Sequence, residues 1–300
     1  MALVENRRAI IMTTTNKHIY NFWNFLDVTG SNLYYLQHNH NKPVHIYVLD
    51  SGYNYNNDFG FSNVDTTYDA IARTIRDDDS DDTGHGTHVI NIIQTIHPDV
   101  FIHPIKVTQN DMASGLSIDN AFAYLKTIQQ QGESVDIVCC SFGSDAPINK
   151  LTHRHIAKMY ANNTIFVASI GNGGRNYAYS PASLPEFISV GGLDSTFENR
   201  WDDSNYSRET DIMALAENIQ IVDDNNSPIN DELLSGTSFA NAIVVGQIAL
   251  LLSNGHIDTK ESLLELTQKY SSEARKLETA YGYLDLNKLI NKPDKADDTE

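Results

Sequence analysis

Residues 44–52 of the chain read VHIYVLDSG and give the clearest indication of its fold. Residues 44–49 are mostly β-branched or aromatic, a composition typical of a strand buried in a sheet. The carboxylate of Asp50 and the turn-forming pair Ser51-Gly52 follow directly. In open parallel sheets, ligands gather at the carboxyl ends of the strands. The segment therefore predicts a buried strand that delivers a carboxylate to a site at the edge of a sheet.

Similar β-rich runs alternate with helix-like patterns along the rest of the chain. Strands are predicted at 44–49, 101–107, 135–141, 164–169 and 187–192. Apolar residues at helical spacing predict helices over 118–130, 148–160 and 238–252. This alternation predicts an α/β fold with three layers, a mostly parallel central sheet with helices on both faces.

Three short motifs carry the groups required for nucleophilic catalysis. They read Asp50-Ser51-Gly52, Gly84-His85-Gly86-Thr87-His88 and Gly236-Thr237-Ser238. A serine hydroxyl is a weak nucleophile near neutral pH, so it needs a base, and the base needs an orienting group. Taken singly, Asp50 could form a turn and Ser238 could cap a helix. Their combination favours a catalytic interpretation.

The order Asp, His, Ser resembles that of subtilisin, and the chain is similar to the subtilisin-like serine proteases, the subtilases. The resemblance runs from about residue 23 to about residue 290. The stretches Arg175-Asn176-Tyr177 and Tyr179-Ser180-Pro181-Ala182-Ser183 are closest to the proteinase K branch. It implies a peptidase domain over 18–290, preceded by an N-terminal extension (1–17) and followed by an acidic, disordered tail (291–300).

The resemblance implies a role for each matching polar residue. Ser238 would be the nucleophile, His85 its general base and acid, and Asp50 the group that orients His85. Asn172, which follows the strand predicted at 164–169, would hold the oxyanion of the tetrahedral intermediate together with the Ser238 backbone N–H.

The substrate-binding groove follows from the same resemblance. An extended substrate would pair with Ser141, Phe142 and Gly143 as an added strand, with residues 112–116 as the opposite edge. The pocket before the scissile bond would be walled by Ala168, Ser169, Ile170 and Gly171. Ile170 is larger than the residue usual there, so a narrow pocket is expected.

One departure from the family leaves the reaction open. Family members usually have a proline in the first turn of the nucleophile helix, where this chain has Ala242. Because proline shapes how a helix starts, its loss could displace the Ser238 hydroxyl. The sequence predicts a serine endopeptidase. A peptide ligase or transacylase, and a catalytically silent binding domain, remain as alternatives.

Cofactor and metal signals are weak. No zinc-ligand spacing occurs, and the resemblance implies no required cofactor. Similarity to proteinase K implies one possible calcium ion, held by the carbonyls of Pro185 and Phe187 and by the Asp211 carboxylate, since oxygen ligands suit calcium.

Composition limits the partners. The net charge of −18 argues against nucleic-acid binding and against attraction to anionic membranes. The family resemblance implies polypeptide substrates, and we expect a monomer. No signal peptide is visible before residue 17, so we expect an intracellular location by default, or a secreted protein if the chain was trimmed. Cys139 and Cys140 are adjacent on a predicted strand, which predicts two buried thiols that face opposite ways.

An acidic run, Asp77, Asp78, Asp79, Asp81 and Asp82, directly precedes His85. It can be a solvated loop, or it can favour the imidazolium form of His85 and attract cationic substrate side chains.

Overall fold

The structure, a computed structural model, describes residues 19–38, 40–56, 63–220, 233–270 and 282–290. The expected N-terminal extension (1–17) and acidic tail (291–300) lie outside these residues. The statements below concern only the described ranges.

A single eight-stranded sheet forms the centre of the fold, with strand order β10-β9-β8-β7-β1-β4-β2-β3. All neighbours pair in parallel except β2 and β3. The strands, including a separate β5-β6 hairpin, are β1 (His45–Asp50), β2 (Thr67–Asp69), β3 (Thr74–Arg76), β4 (Phe101–Lys106), β5 (Thr108–Gln109), β6 (Met112–Ala113), β7 (Ile137–Cys140), β8 (Ile165–Ser169), β9 (Phe187–Leu193) and β10 (Ile212–Leu215).

Strand β1 lies in the middle of the sheet, between β4 and β7. It is almost completely buried, because helices cover both faces of a parallel sheet. Its residues alternate between two cores, with Ile46 and Val48 on one face and Tyr47 and Leu49 on the other. This is the buried strand that residues 44–49 predict.

Helices form the two outer layers. They are α1 (Ile19–Val28), α2 (Ser31–Gln37), α3 (His85–Ile96), α4 (Gly115–Gln130), α5 (Lys150–Tyr160), α6 (Thr237–Ser253), α7 (Lys260–Tyr270) and α8 (Asn287–Ile290). Helices α4 and α5 cover one face, whereas α1, α2, α3 and α6 pack into the core on the other. The predicted three-layer α/β fold is confirmed.

Helix α6 is the buried centre of its layer. All 17 of its residues are buried, and it contacts α3 and strands β7 to β10. A helix surrounded by protein is apolar on all sides, which explains why most residues of the helix predicted at 238–252 are apolar.

Element boundaries differ from the predictions where side chains act on the backbone. Helix α4 begins at Gly115, before the predicted residue 118, because Ser114 caps it: the Ser114 side chain accepts from Ser117 N, and Ser117 Oγ accepts from Ser114 N. The pattern at 135–141 forms a strand only over Ile137–Cys140.

The cysteine prediction is confirmed in its geometry. Cys139 belongs to one core and Cys140 to the other, and both are fully buried free thiols. No helix among the described residues has the length and apolar character needed to cross a bilayer.

Candidate active site

The carboxyl ends of β1, β7 and β8 meet at one edge of the sheet, where the predicted site residues lie. Asp50 is the last residue of β1, Ser141 follows β7, and Asn172 lies three residues beyond β8. Helices α3 and α6 begin at the same edge and bring His85 and Ser238 to it. The fold thus brings these five residues, widely separated along the chain, to one cleft.

Asp50 and His85 form a direct hydrogen bond. His85 Nδ1 lies 2.7 Å from Asp50 Oδ1, which also accepts from the backbone N–H of Ser51 at 2.8 Å. The Asp50 side chain is 4% exposed and that of His85 is 30% exposed. With Nδ1 engaged by a carboxylate, Nε2 is the ring nitrogen that remains to accept a proton.

Helix α3 is held tightly against the end of β1, and this contact places His85. Gly86 N donates to Ser51 Oγ at 2.8 Å. A Cβ atom at Gly86 would lie 2.4 Å from the carbonyl oxygen of Gly52. The glycine after His85 therefore permits the approach of two backbone segments of the protein.

Charges around His85 favour its imidazolium form. Burial, the largest single influence, disfavours the charge. The negative charges of Asp50, Asp111 and Asp81, with the hydrogen bond to Asp50, outweigh burial and raise the pKa of His85 above its ordinary value of 6.5.

Ser238 shares the cleft with His85, but its hydroxyl bonds elsewhere. It is the second residue of α6, 8% exposed, and its Oγ donates to the carbonyl oxygen of Ser141 at 2.9 Å. Among the described residues, Ser238 Oγ makes no hydrogen bond to His85. Of the three residues predicted to act together, Asp50 and His85 therefore form a hydrogen bond, and Ser238 lines the same cleft.

A polar network behind Ser238 was not anticipated from the sequence. Ser141 Oγ donates to Ser238 O at 3.2 Å, and Asn241 Nδ2 donates to Ser141 Oγ at 3.1 Å and contacts Cys139 Sγ at 3.2 Å. Burial raises the pKa of Cys139 to about 12, so its thiol is not a nucleophile at neutral pH. Asn241, one turn after Ser238, ties the start of α6 to the end of β7.

Asn172 is oriented by the residue that precedes Ser238. Its Oδ1 accepts from Thr237 N at 2.9 Å and from Thr237 Oγ1 at 2.7 Å. Because these bonds occupy the acceptor end of the amide, the donor Nδ2 is the end left to meet a ligand. Thr237 is a supporting residue that no sequence signal singled out.

The cleft that holds these groups has a volume of about 340 Å³. Nine residues that the sequence analysis assigned to the site line it: Asp50, His85, Ser141, Phe142, Gly143, Ser169, Gly171, Asn172 and Ser238. Four other residues also line it: Thr108, Asp111, Tyr179 and Thr237. Gly171 has φ +109°, and a Cβ there would lie 2.4 Å from the Tyr179 ring.

Two predicted pocket residues do not line the cleft. Ala168 and Ile170 are fully buried, whereas Ser169 and Gly171 line it. Successive side chains near a strand end point to opposite faces, so only alternate residues reach the cleft. The lining of this cleft gives no support to the expectation that Ile170 narrows the pocket.

A second cleft of about 290 Å³ continues from the first. The two share Asp111, Phe142 and Gly143. Met112, Ala113 and Gly115, all from the predicted edge at 112–116, line the second cleft. The clefts form one groove with residues 141–143 on one side and the β5-β6 hairpin on the other.

The acidic run before His85 is engaged in structural contacts. The Asp81 carboxylate accepts hydrogen bonds from the backbone N–H groups of Gly84 and Thr87, both at 2.8 Å, at the start of α3. Asp82 binds Lys106 Nζ at 2.6 Å, and Asp78 binds Arg76 Nε at 2.8 Å. Asp111, outside the run, is the acidic residue that lines the groove together with Asp50.

The oxygens proposed as calcium ligands surround a lysine ammonium. Lys260 Nζ donates to the carbonyl oxygen of Pro185 at 2.7 Å and to that of Phe187, and lies 4.0 Å from Asp211 Oδ2. As arranged, these oxygens do not fit a calcium ion.

Comparison with known proteins shows the family of the chain. The family model "Subtilase family", of the S8 peptidases, matches residues 41–283. "Subtilisin-like protease 2" of Pseudogymnoascus destructans is 29% identical over 241 residues, covering 77% of this chain and 57% of that protein. "Thermophilic serine proteinase" of Bacillus sp. is 28% identical over 247 residues, covering 75% and 57%. Human "Membrane-bound transcription factor site-1 protease" is 28% identical, covering 69% of this chain but 21% of that protein.

Two solved structures share the fold. A lanthipeptide protease superposes with a TM-score of 0.73 at 19% identity, covering 92% of this chain and 96% of that chain. The prenylagaramide maturation protease PagA gives 0.68 at 24% identity, covering 87% and 97%. The chain spans a little over half the length of the fungal and Bacillus relatives. With its model matched over most of the sequence, the chain belongs to the subtilase family.

Proposed function

We propose that this chain is a serine endopeptidase that hydrolyses peptide bonds through an acyl-enzyme on Ser238. The observation that carries the proposal is the 2.7 Å bond between Asp50 and His85 in the cleft that Ser238 also lines. Family membership supports the same reaction class.

The reaction begins when Ser238 Oγ attacks the scissile carbonyl carbon and His85 Nε2 takes the hydroxyl proton. Asp50 stabilises the imidazolium and keeps Nδ1 protonated. The tetrahedral intermediate collapses as the amine leaves with the proton from Nε2. Water then attacks the ester, Nε2 takes its proton, and Ser238 recovers its hydrogen as the acid is released.

Asn172 would stabilise the negative oxygen of both tetrahedral intermediates. Thr237 holds its Oδ1, so Nδ2 can donate to the oxyanion together with the Ser238 N–H. Donors fixed before the reaction act most strongly, since they need no reorganisation.

Attack requires the Ser238 hydroxyl to turn from Ser141 O toward His85. This reorientation gives up a bond of 2.9 Å. One neutral hydrogen bond contributes about 0.5–1.5 kcal/mol net, so the reorientation is a small part of an enzymatic barrier.

The groove suits an extended polypeptide. Residues 141–143 offer backbone groups along one side, and Met112 and Ala113 lie on the other. Main-chain pairing gives affinity without a sequence requirement. Ser169, Gly171 and Tyr179 would bound the pocket for the residue before the scissile bond.

The test is hydrolysis of an unfolded protein substrate by the chain and by Ser238→Ala. We expect hydrolysis to be lost in Ser238→Ala while circular dichroism shows an unchanged fold. Ser134→Ala, at an exposed serine that lines neither cleft, is the matched control and should keep its activity. Equal rates for Ser238→Ala and the unsubstituted chain would refute the assignment.

The bond from Ser238 to Ser141 favours a second candidate, a silent binding domain that keeps the groove. A fluorophosphonate probe separates the two. Covalent labelling at Ser238 supports the enzyme, since labelling needs an activated hydroxyl. Persistent absence of labelling in folded protein supports the silent domain.

A further inference from the structure

Lys260 supplies a positive charge in a site made of backbone oxygens. Its side chain is 9% exposed. Two of its three N–H bonds can be assigned to Pro185 O and Phe187 O, and the third faces Asp211 at 4.0 Å. Asp211 Oδ2 also accepts from Ser189 N at 3.0 Å, which holds the carboxylate against β9.

The oxygens of the site converge on a single cation. The carbonyl oxygens of Pro185 and Phe187 accept from the Lys260 ammonium, and the Asp211 carboxylate lies 4.0 Å from it. One carboxylate and two carbonyl dipoles therefore offset the cost of burying the ammonium.

An ammonium and a calcium ion cannot share this site. Calcium takes about 6–8 oxygen ligands at about 2.3–2.6 Å, whereas Lys260 Nζ already lies 2.7 Å from Pro185 O. The fixed charge would also repel a divalent cation at a distance of a few ångström.

Lys260 does not stabilise the helix that it begins. It is the first residue of α7, where the helix dipole disfavours a positive side chain. Lys150 occupies the same position in α5 and is exposed. A buried lysine at a helix start therefore acts through tertiary contacts.

The contacts join two segments far apart along the chain. Residues 185–187 lead into β9 from the loop that brings Tyr179 to the cleft. Lys260 fixes the end of that loop to the start of α7, 73 residues from Phe187. A cation held by the same oxygens would likewise join residues 185–187 to Asp211.

We infer that Lys260 replaces a metal ion: its ammonium is a covalently attached cation that makes this site independent of calcium. The inference concerns stability, so it stands or falls separately from the proposed peptidase activity.

The test measures thermal unfolding in EDTA and in millimolar CaCl2, in a Ser238→Ala background that prevents self-digestion. The background chain should show the same Tm in both. Lys260→Ala should lower the Tm in EDTA by about 5–10 °C, because it leaves a buried carboxylate unpaired. Calcium should restore much of this loss, since the oxygens remain and the vacated space admits an ion.

Three further variants make the result specific. Lys150→Ala, at the equivalent helix position, should change neither the Tm nor its response to calcium. Lys260→Met, which fills the space without charge, should be destabilised and gain nothing from calcium. Lys260→Ala/Asp211→Asn should lose the calcium binding that isothermal titration calorimetry detects in Lys260→Ala.

Two outcomes would overturn the inference. The first is a Tm of the background chain that rises with calcium, when Asp211→Asn abolishes this rise. Calcium would then bind the site while Lys260 is present, so the lysine would not have replaced the ion. The other is a Lys260→Ala chain that gains nothing from calcium, because the lysine would then be an ordinary ion-pair partner.

Discussion

Residues at the cleft differ in how many hydrogen bonds from neighbouring residues fix their side chains. Asn172 is held through both hydrogen bonds from Thr237. His85 is held through Asp50, and its charge state responds to Asp81 and Asp111. These two side chains therefore allow the sharpest residue-level predictions.

The first prediction concerns the amide of Asn172. Replacing it with leucine, of similar size, removes the donor, and kcat should fall about 10²–10³-fold with KM little changed. Steady-state kinetics on a peptide amide measures both constants. Thr237→Ser, which keeps the hydroxyl that holds Asn172, is the control. Unchanged kcat in Asn172→Leu would remove it from the oxyanion role.

The second prediction concerns pH. As the proposed base, His85 would act only when neutral, and its raised pKa would place the acid limb of kcat/KM above pH 6.5. Asp111→Asn removes a charge that favours imidazolium, so the pKa of His85 falls and the limb moves to lower pH. The shift should shrink at high salt, because Asp111 is exposed.

The comparison variant for this measurement is Asp258→Asn. Asp258 is also exposed and does not contribute to the pKa of His85. Its profile should coincide with that of the unsubstituted chain. An acid limb that stays in place in Asp111→Asn would show that the hairpin does not influence the base.

Close contacts between helices and strands position His85 and Ser238. Helix α3 meets the end of β1 where Gly86 packs on Gly52, and Asp81 receives the free N–H groups of its first turn. Helix α6 meets β7 through Asn241 and Ser141. The separation of the two helix starts determines how far His85 stands from Ser238.

The element-scale prediction is therefore a substitution at Gly86. In Gly86→Ala the new Cβ would lie 2.4 Å from Gly52 O, a backbone atom that cannot yield. We expect a loss of about 1–3 kcal/mol in unfolding free energy, measured in urea, and reduced activity because His85 moves. Gly115→Ala, at the start of α4 with nothing within 4 Å of the new atom, should be neutral or stabilising. Equal stability in both variants would contradict the packing argument.

At the scale of the whole molecule, topology assembles the site. Strands β2 to β4 lie on one side of the central β1, and strands β7 to β10 lie on the other. The strand order therefore reverses beside Asp50, where a parallel sheet opens a crevice. Asp50 and Asp111 line the groove, whereas Asp78 and Asp82 of the acidic run pair with basic side chains and Asp81 binds N–H groups at the start of α3.

The sequence alone determined the strands at 44–49 and 187–192, the helix at 238–252, and the position of Asp50 and Asn172 at strand ends. The resemblance to the subtilases added the expectation that His85 and Ser238 meet them. Hydrophobic period, strand-end position and the three motifs are local signals, so they can be read from neighbouring residues.

Only the tertiary structure decided the partners of side chains that meet across long separations. It directs the Ser238 hydroxyl to Ser141, brings Asp111 to the cleft and seats Lys260 on Pro185 and Phe187. It also buries Ala168 and Ile170. Local patterns specify which face of an element is apolar, but the contact that a polar group makes depends on packing between distant segments.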